Sequence, residues 1–292
     1  MFTRRDSNLV RIIGLLSLAM ALSACSAIKL GYNTMAQVSA WWIDGYVDLS
    51  DDQQPRVRED LARLHQWHRR EEIPKIGALL QRAERMVGAE MSAQEICAVV
   101  PDARARLLAL AERAEPAAVT LALGLTPEQL AHLERKYQKN NRDYRKDWIE
   151  LSADDLRDKR YRQFLDRVEM VYGRLDDPQR EILRNRMERT AFSAETSLQE
   201  RQRRQQDILQ ALRKIAGQPV SLSDARATLH ALVQRGLQSP DRRFRAYQES
   251  LIQEGCRNLA AVHQSTTPQQ RQSAVRRLRA YQRDLEELAA EP

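Results

Sequence analysis

The sequence predicts an all-α protein, an elongated array of about eight or nine helices arranged as antiparallel hairpins. Three observations carry that prediction. After residue 50, apolar side chains recur at the three-and-four spacing of one helix face, with almost none of the alternation that marks a half-buried strand. Ala, Leu, Arg, Gln and Glu are abundant, while Gly and Pro number 10 each in 292 residues and aromatic residues make up 5%, a composition that favours helix. Helix starts recur as Ser, Thr or Asp followed by Pro or an acid, at Ser92, Thr126-Pro127-Glu128, Ser152 with Asp155, Asp177-Pro178, Ser223-Asp224 and Thr267-Pro268. Such side chains accept from the free N–H groups of a first helical turn, and Pro fits a position that needs no N–H.

Taken in order, the first 24 residues are expected to be a signal peptide that is removed rather than folded. Arg4, Arg5 and Arg11 precede an uncharged run, Ile12 to Ala21. At about ten residues it suits a signal peptide, whereas a spanning helix needs roughly twenty. The run ends in Leu22-Ser23-Ala24-Cys25, which resembles the lipobox of bacterial lipoproteins. That resemblance implies cleavage before Cys25, then a diacylglyceryl thioether and an N-acyl chain such as palmitate on Cys25. More than one chain is what durable anchoring requires. Ser26, by the sorting rule of that class, implies the periplasmic leaflet of the outer membrane. The expected organisation is signal peptide 1–24, lipid tether with an aromatic and acidic segment 25–50, and helical body 51–292.

Charge excludes one class of function. The chain carries 47 basic and 40 acidic residues, a formal net charge of +7. Removal of residues 1–24 takes away Arg4, Arg5, Arg11 and Asp6 and lowers it to +5. The charges are interleaved, as on solvated helix faces, and form no basic stripe of the kind that holds nucleic acid. With Cys25 committed to lipid, Cys97 and Cys256 are the thiols left in an oxidising compartment. They lie on the stripes Ala93-Cys97-Val100 and Ile252-Cys256-Leu259, and either form a disulfide or stay as two buried thiols.

In the body, the stripe Val57-Leu61-Leu64 opens the first helix. The helix after Pro127 carries Leu130, Leu133, Tyr137, Tyr144, Trp148 and Leu151. The helix after Pro178 is expected to run through Leu183, Met187, Ala191, Ala194 and Leu198 and to resume at Ile208, Leu212 and Ile215. Between them, residues 199–207 are polar on every face, which predicts a solvent-bridging, projecting or weakly helical segment. Gly217 and Gly236 are expected helix stops. The last helix carries Val275, Leu278, Tyr281, Leu285 and Leu288, close to a heptad seam.

A motif recurs as Leu125-Thr126-Pro127-Glu128-Gln129, Leu175-Asp176-Asp177-Pro178-Gln179 and Thr266-Thr267-Pro268-Gln269-Gln270. It reads as a turn, a cap, a proline and an amide or acid in the first turn. It resembles the LTxxQ signature of Spy-like periplasmic chaperones and helix starts of lipase-foldase chaperones, and equally any helix array that needs caps. The whole layout resembles an uncharacterised family of proteobacterial outer-membrane lipoproteins, through Leu30-Gly31-Tyr32-Asn33, Trp41 to Leu49, Trp67-His68-Arg69-Arg70-Glu71-Glu72-Ile73-Pro74 and the LTPEQ-type caps. That family brings no activity with it.

Chemistry-bearing residues are densest from Asn33 to Glu72. Trp41, Asp44 and Asp48 share a helix face, with Trp42 and Tyr46 offset, and with Trp67 and His68 they form a candidate binding patch for a peptide, glycan or lipid. The same residues equally suit docking of the tether and capping of the next helix. His65, His68 and Glu72 at i, i+3 and i+7 could hold zinc, but they border the Val57-Leu61-Leu64 stripe and suit packing. His132, His230 and His263 stand alone. No H-E-x-x-H, G-x-S-x-G, Walker A or paired catalytic carboxylate motif is present. The expectation is a lipid-anchored periplasmic protein with no catalytic residues, no bound metal and no cofactor beyond the covalent lipid. It would act as a scaffold or chaperone-like module on a periplasmic protein or envelope polymer, and touch the membrane through its lipid. The alternative is a metal-dependent or glycan-acting enzyme using residues 44–72.

Overall fold

The computed structural model describes residues 28–217 and 219–291, so the signal peptide, Cys25 and Ser26 lie outside the described residues. Among the described residues there is no strand, and no helix is long and apolar enough to cross a membrane. A helical turn at 28–33 leads into α1 (Met35–Val47), followed by α2 (Gln53–Trp67), a π-helical turn (His68–Glu72), α3 (Ile73–Val87), α4 (Ala93–Cys97), α5 (Val100–Leu123) and α6 (Pro127–Tyr144). A second π-helical turn (Arg145–Ile149) precedes α7 (Ala153–Tyr172), α8 (Asp177–Met187), α9 (Ala194–Ala216), α10 (Leu222–Leu237), α11 (Arg242–Ser265) and α12 (Pro268–Ala290). Among the described residues the fold is thus all-helical, in more segments than the eight or nine expected.

The differences have local causes. The helix after Pro178 stops at Met187, and Glu254 holds the chain beyond it: its carboxylate accepts from the Thr190 hydroxyl at 2.6 Å and from Ala191 N at 2.7 Å. Ser193 then caps α9, its Oγ accepting from Thr196 N. Residues 199–207, expected to project or fray, lie inside continuous α9. Glu200 is buried there and accepts from Arg203, Arg204 and Ser239, and Asp207 pairs with Arg235 of α10 at 2.7 Å. The polar face is satisfied by neighbouring helices, where solvent was expected. Asp176 caps α8 in place of Asp177, and Ser221 caps α10 in place of Ser223. Gly217 ends α9 as expected, but Gly236 sits within α10. The first π turn precedes Pro74, which has no N–H to offer the carbonyl four residues back, so the ladder must slip near that point.

Two clusters form the core. The larger joins α3, α7, α8, α11 and α12 through Val87, Val168, Tyr172, Leu183, Met187, Val262 and Leu278, and the smaller joins α5, α9 and α10 through Val119, Ala122, Ile215, Ala225 and Leu229. The most extensive pairing is between α3 and α12, far apart in sequence. They run antiparallel, with Glu84 bound to Arg279 and Gln282 and Glu90 bound to Arg271. Cys97 and Cys256 are joined as a disulfide with Cα atoms 5.6 Å apart, which pins the short α4 onto α11.

The recurring cap motif has a tertiary role. Thr126–Gln129, Asp176–Gln179 and Thr267–Gln270 are all reciprocal capping boxes, and Ser50–Gln53 makes the same two bonds ahead of α2. The four boxes associate as two pairs. Gln53 and Gln129 exchange side-chain hydrogen bonds; Gln129 Nε2 also donates to Asp48 O at 2.8 Å and Gln53 Nε2 to Gly124 O at 2.9 Å. Gln179 and Gln270 do likewise, with Gln179 Nε2 donating to Ser265 O at 2.8 Å and Gln270 Nε2 to Arg174 O at 3.0 Å. In each case the carbonyl reached lies two residues before the partner's cap. Leu49, Leu125, Leu175 and Thr266, the residues before the caps, are all buried. Each pair is a clasp with local two-fold character that fixes two helix starts against each other.

Candidate functional site

The chain from Leu30 to Ile43 contains no charged residue, in a sequence that is 30% charged. It forms the helical turn and most of α1, which packs antiparallel on α2, with Ala40 buried. A groove of about 600 Å³ runs along this pair, lined by Asn33, Gln37, Trp41 and Asp44 of the first segment and Gln54 and Arg58 of α2, with Ala36, Ala40, Leu49 and Val57 at its floor. Amide groups therefore face apolar surface across a cleft open to solvent.

The sequence-derived patch divides into three places. Trp41 lies at the edge of the groove, and Asp44 lines it while its Oδ1 accepts from Leu49 N at 3.0 Å, closing the end of α1. Asp48 takes the left-handed conformation at φ 60°, its N–H bonded to Asp44 O and its carbonyl bound by Gln129, so it serves the chain reversal. Trp42 lies about 100° further round α1, its exposed ring against that of Tyr46 with centroids 4.4 Å apart. The Tyr46 hydroxyl accepts from Asn140 Nδ2 at 2.6 Å and Lys136 Nζ sits 5.6 Å from the Tyr46 ring centroid, which docks α1 on α6. Trp67 and His68 lie at the far end of α2, beside the π turn, with Arg113 over the Trp67 ring.

His68 belongs to a cluster built on Tyr32. The Tyr32 hydroxyl lies 3.0 Å from His68 Nδ1, and His65 Nε2 donates to the Tyr32 carbonyl at 2.9 Å. Burial lowers the His68 pKa from its ordinary value, so its neutral form is favoured, and burial raises that of Tyr32. Glu72, expected on the same face as these histidines, is taken up by cations. It is 1% exposed and pairs with Lys75 at 2.7 Å and Arg106 at 3.1 Å. Burial pushes its carboxyl up, but these two cations outweigh it and hold the pKa below the usual range. Among the described residues no group of three or more His, Cys, Asp or Glu side chains is arranged to hold a metal ion.

Beyond this segment, a second chain end meets the first. Lys29 pairs with Glu287, and Glu291 accepts from Asn33 Nδ2 and Arg69 Nη1, each at 3.2 Å. The start of the described chain is thereby fastened to the end of α12. Sequence reasoning missed this tie, the groove residues Gln37, Gln54 and Arg58, and the Ser50–Gln53 box. Only the last had a signal, since Leu49-Ser50-Asp51-Asp52-Gln53 matches the spacing of the three motifs that were recognised.

The comparison with known families decides the relationship. The model of a family of unknown function, DUF6279, matches residues 45–235. The chain belongs to that family. The match runs from the end of α1 into α10, so it leaves out the Trp41–Trp42 segment and α11 and α12, where the resemblance had been expected to extend from lipobox to C-terminus. No curated protein and no solved structure matches the chain. The DUF6279 assignment carries no activity, so the geometry of the site must argue for itself.

Proposed function

We propose that this DUF6279 protein is held by lipid on Cys25 at the periplasmic leaflet of the outer membrane and acts there by non-catalytic binding. It serves as a scaffold or chaperone-like module whose α1–α2 groove receives an extended polypeptide. The observation that carries this reading is the lining of the groove. Gln37 supplies an amide that can both donate to and accept from a peptide backbone, Asn33 and Gln54 are held as polar edges by Glu291, Arg69 and Arg58, Arg58 and Asp44 supply opposite charges, and Trp41 with the Ala and Val floor offers apolar contact. The clasp between the Ser50 and Thr126 boxes fixes the hairpin that forms the groove, and such preorganisation lowers the entropic cost of binding. The elongated array of antiparallel hairpins that we propose for the body would suit the same role. The enzyme reading for residues 44–72 finds less support, because Asp44 and Asp48 close a helix end and His65 and His68 pack on Tyr32.

The test is suppression of aggregation. The mature chain is expected to slow aggregation of a reduced, unfolded client at near-stoichiometric ratio. Gln37→Trp, which fills the groove, and Arg58→Glu, which reverses its charge, are expected to remove that effect without changing the melting temperature. Inactivity of the wild type toward several unrelated clients would overturn the chaperone-like role. Full activity of both variants would overturn the assignment to the groove.

A further inference from the structure

The half of the first helical segment that faces away from the body is apolar and uncovered. Leu30, Met35, Val38, Trp41 and Trp42 are all exposed, with Trp41 at 74% and Trp42 at 56%. At roughly 100° per residue these positions fall on one arc, with Gly31 and Gly45 between them and the buried Ala40 behind. Other large exposed apolar side chains among the described residues do not form such a face: Leu107 and Leu123 stand sixteen residues apart on α5, Met170 is on α7 and Leu222 on α10. A contiguous apolar face of this kind marks an interaction surface.

We infer that this face lies in the surface of the lipid bilayer that holds the protein. The inference rests on the proposed lipid anchor, because Cys25 precedes the first described residue, Ile28, by three residues, which span about 11 Å at most. The helix therefore starts within reach of the headgroup layer, and lying flat it can bring Leu30 through Trp42 to the same depth. Paired tryptophans with Leu, Met and Val and no charge on the arc are what an interfacial helix presents, its apolar side sinking about 5–10 Å below the headgroups. A cation stands at the border of the face: Lys136 Nζ is 4.0 Å from where a Cβ on Gly45 would lie, a place suited to a lipid phosphate. The ties from Lys29 and Asn33 to α12 then make the body follow the orientation of this helix. The groove, which opens on the Asn33–Gln37–Asp44 side of α1, stays clear of the bilayer with Trp41 at its rim.

The test uses vesicles of phosphatidylethanolamine and phosphatidylglycerol whose acyl chains carry bromine, a contact quencher of indole. In the Trp67→Phe/Trp148→Phe protein the emission comes from Trp41 and Trp42 alone. It is expected to shift to the blue and lose about half its intensity or more on lipidated protein in these vesicles, as burial at interfacial depth requires. In Trp41→Phe/Trp42→Phe the remaining indoles are expected to stay unquenched. A Cys25→Ser chain tethered to the same vesicles through an N-terminal histidine tag and a nickel-chelating lipid removes dependence on the natural anchor, and the same quenching is expected. If native protein fails to float with vesicles while the tagged chain is quenched, the anchor reading falls and the bilayer face stands. If the tethered chain leaves Trp41 and Trp42 unquenched and open to an aqueous quencher, the inference is overturned. If they are unquenched yet shielded because the chain has dimerised, the face is an interface between copies and the inference is likewise overturned.

Discussion

Replacing Gln179 by Ala is the sharpest test of the paired capping boxes. Gln179 is 2% exposed, and its side chain accepts from Asp176 N at 3.0 Å and donates to Ser265 O and Gln270 Oε1, each at 2.8 Å. An isolated cap, such as Ser152 accepting from Asp155 N at 3.1 Å, is worth about 1 kcal/mol when truncated to Ala. Truncating Gln179 removes that much and also strands the Ser265 carbonyl and one N–H of the Gln270 amide, whose other bonds to Arg174 O and Thr267 N remain, at about 1–3 kcal/mol for each group that water cannot reach. With partial access of water the expected loss is about 2–4 kcal/mol, against about 1 for Ser152→Ala. Urea unfolding of both variants gives the comparison, with the midpoint falling at constant slope. A double-mutant cycle between Gln179 and Gln270 is expected to show a coupling of about 1 kcal/mol or more. If Gln179→Ala costs no more than Ser152→Ala and the coupling is nil, the clasp is a coincidence of four ordinary caps.

Two further expectations bear on the body. Reduction of the Cys97–Cys256 bridge releases a separation of 159 residues, for which the loop-entropy argument gives at most about 5 kcal/mol, so the melting temperature is expected to fall by several degrees; two reactive thiols on denatured, unreduced protein would contradict the bridge. His263 is buried with Nδ1 on the Tyr172 hydroxyl at 2.9 Å and Nε2 donating to Ala89 O at 2.8 Å, and burial lowers its pKa from the ordinary 6.5. The unfolded chain then takes up a proton at a higher pH than the folded one. His263 thus contributes stability that is whole above the unfolded value and is lost as pH falls below it toward the folded value. Thermal melts between about pH 7.5 and pH 5.5 are expected to fall more steeply in the wild type than in His263→Gln, and equal slopes would refute the assignment.

The all-α fold was legible because helical periodicity and caps are local signals, and each helix start needs its own cap whatever it packs against. The same locality set the limits. Residues 199–207 read as solvated because a sequence cannot tell that Arg235 and Ser239 will come to Asp207 and Glu200. The chain beyond Met187 is held by Glu254, more than sixty residues away, and the pairing of Gln129 with Gln53 spans 76 residues. At the candidate site, the density of aromatic and acidic residues picked out the segment that lines one side of the α1–α2 groove. Its single patch dissolved into a groove edge, a contact with Tyr46 and a π turn, because Trp41 and Trp42 stand about 100° apart round the helix and Trp67 and His68 lie at the far end of α2. The apolar stretch from Leu30 to Ile43 was readable as uncharged, but only the packing on α2 tells which of its side chains are left uncovered.

The central claim is that this chain works from a membrane to which Cys25 ties it, and the intact mass of the N-terminal peptide of the mature protein tests it most directly. The account predicts a chain beginning at Cys25 and carrying a diacylglyceryl group and an amide-linked fatty acid, with Cys25→Ser leaving an unprocessed, unlipidated precursor. A mature N-terminus elsewhere, or Cys25 present as an unmodified residue, would contradict it.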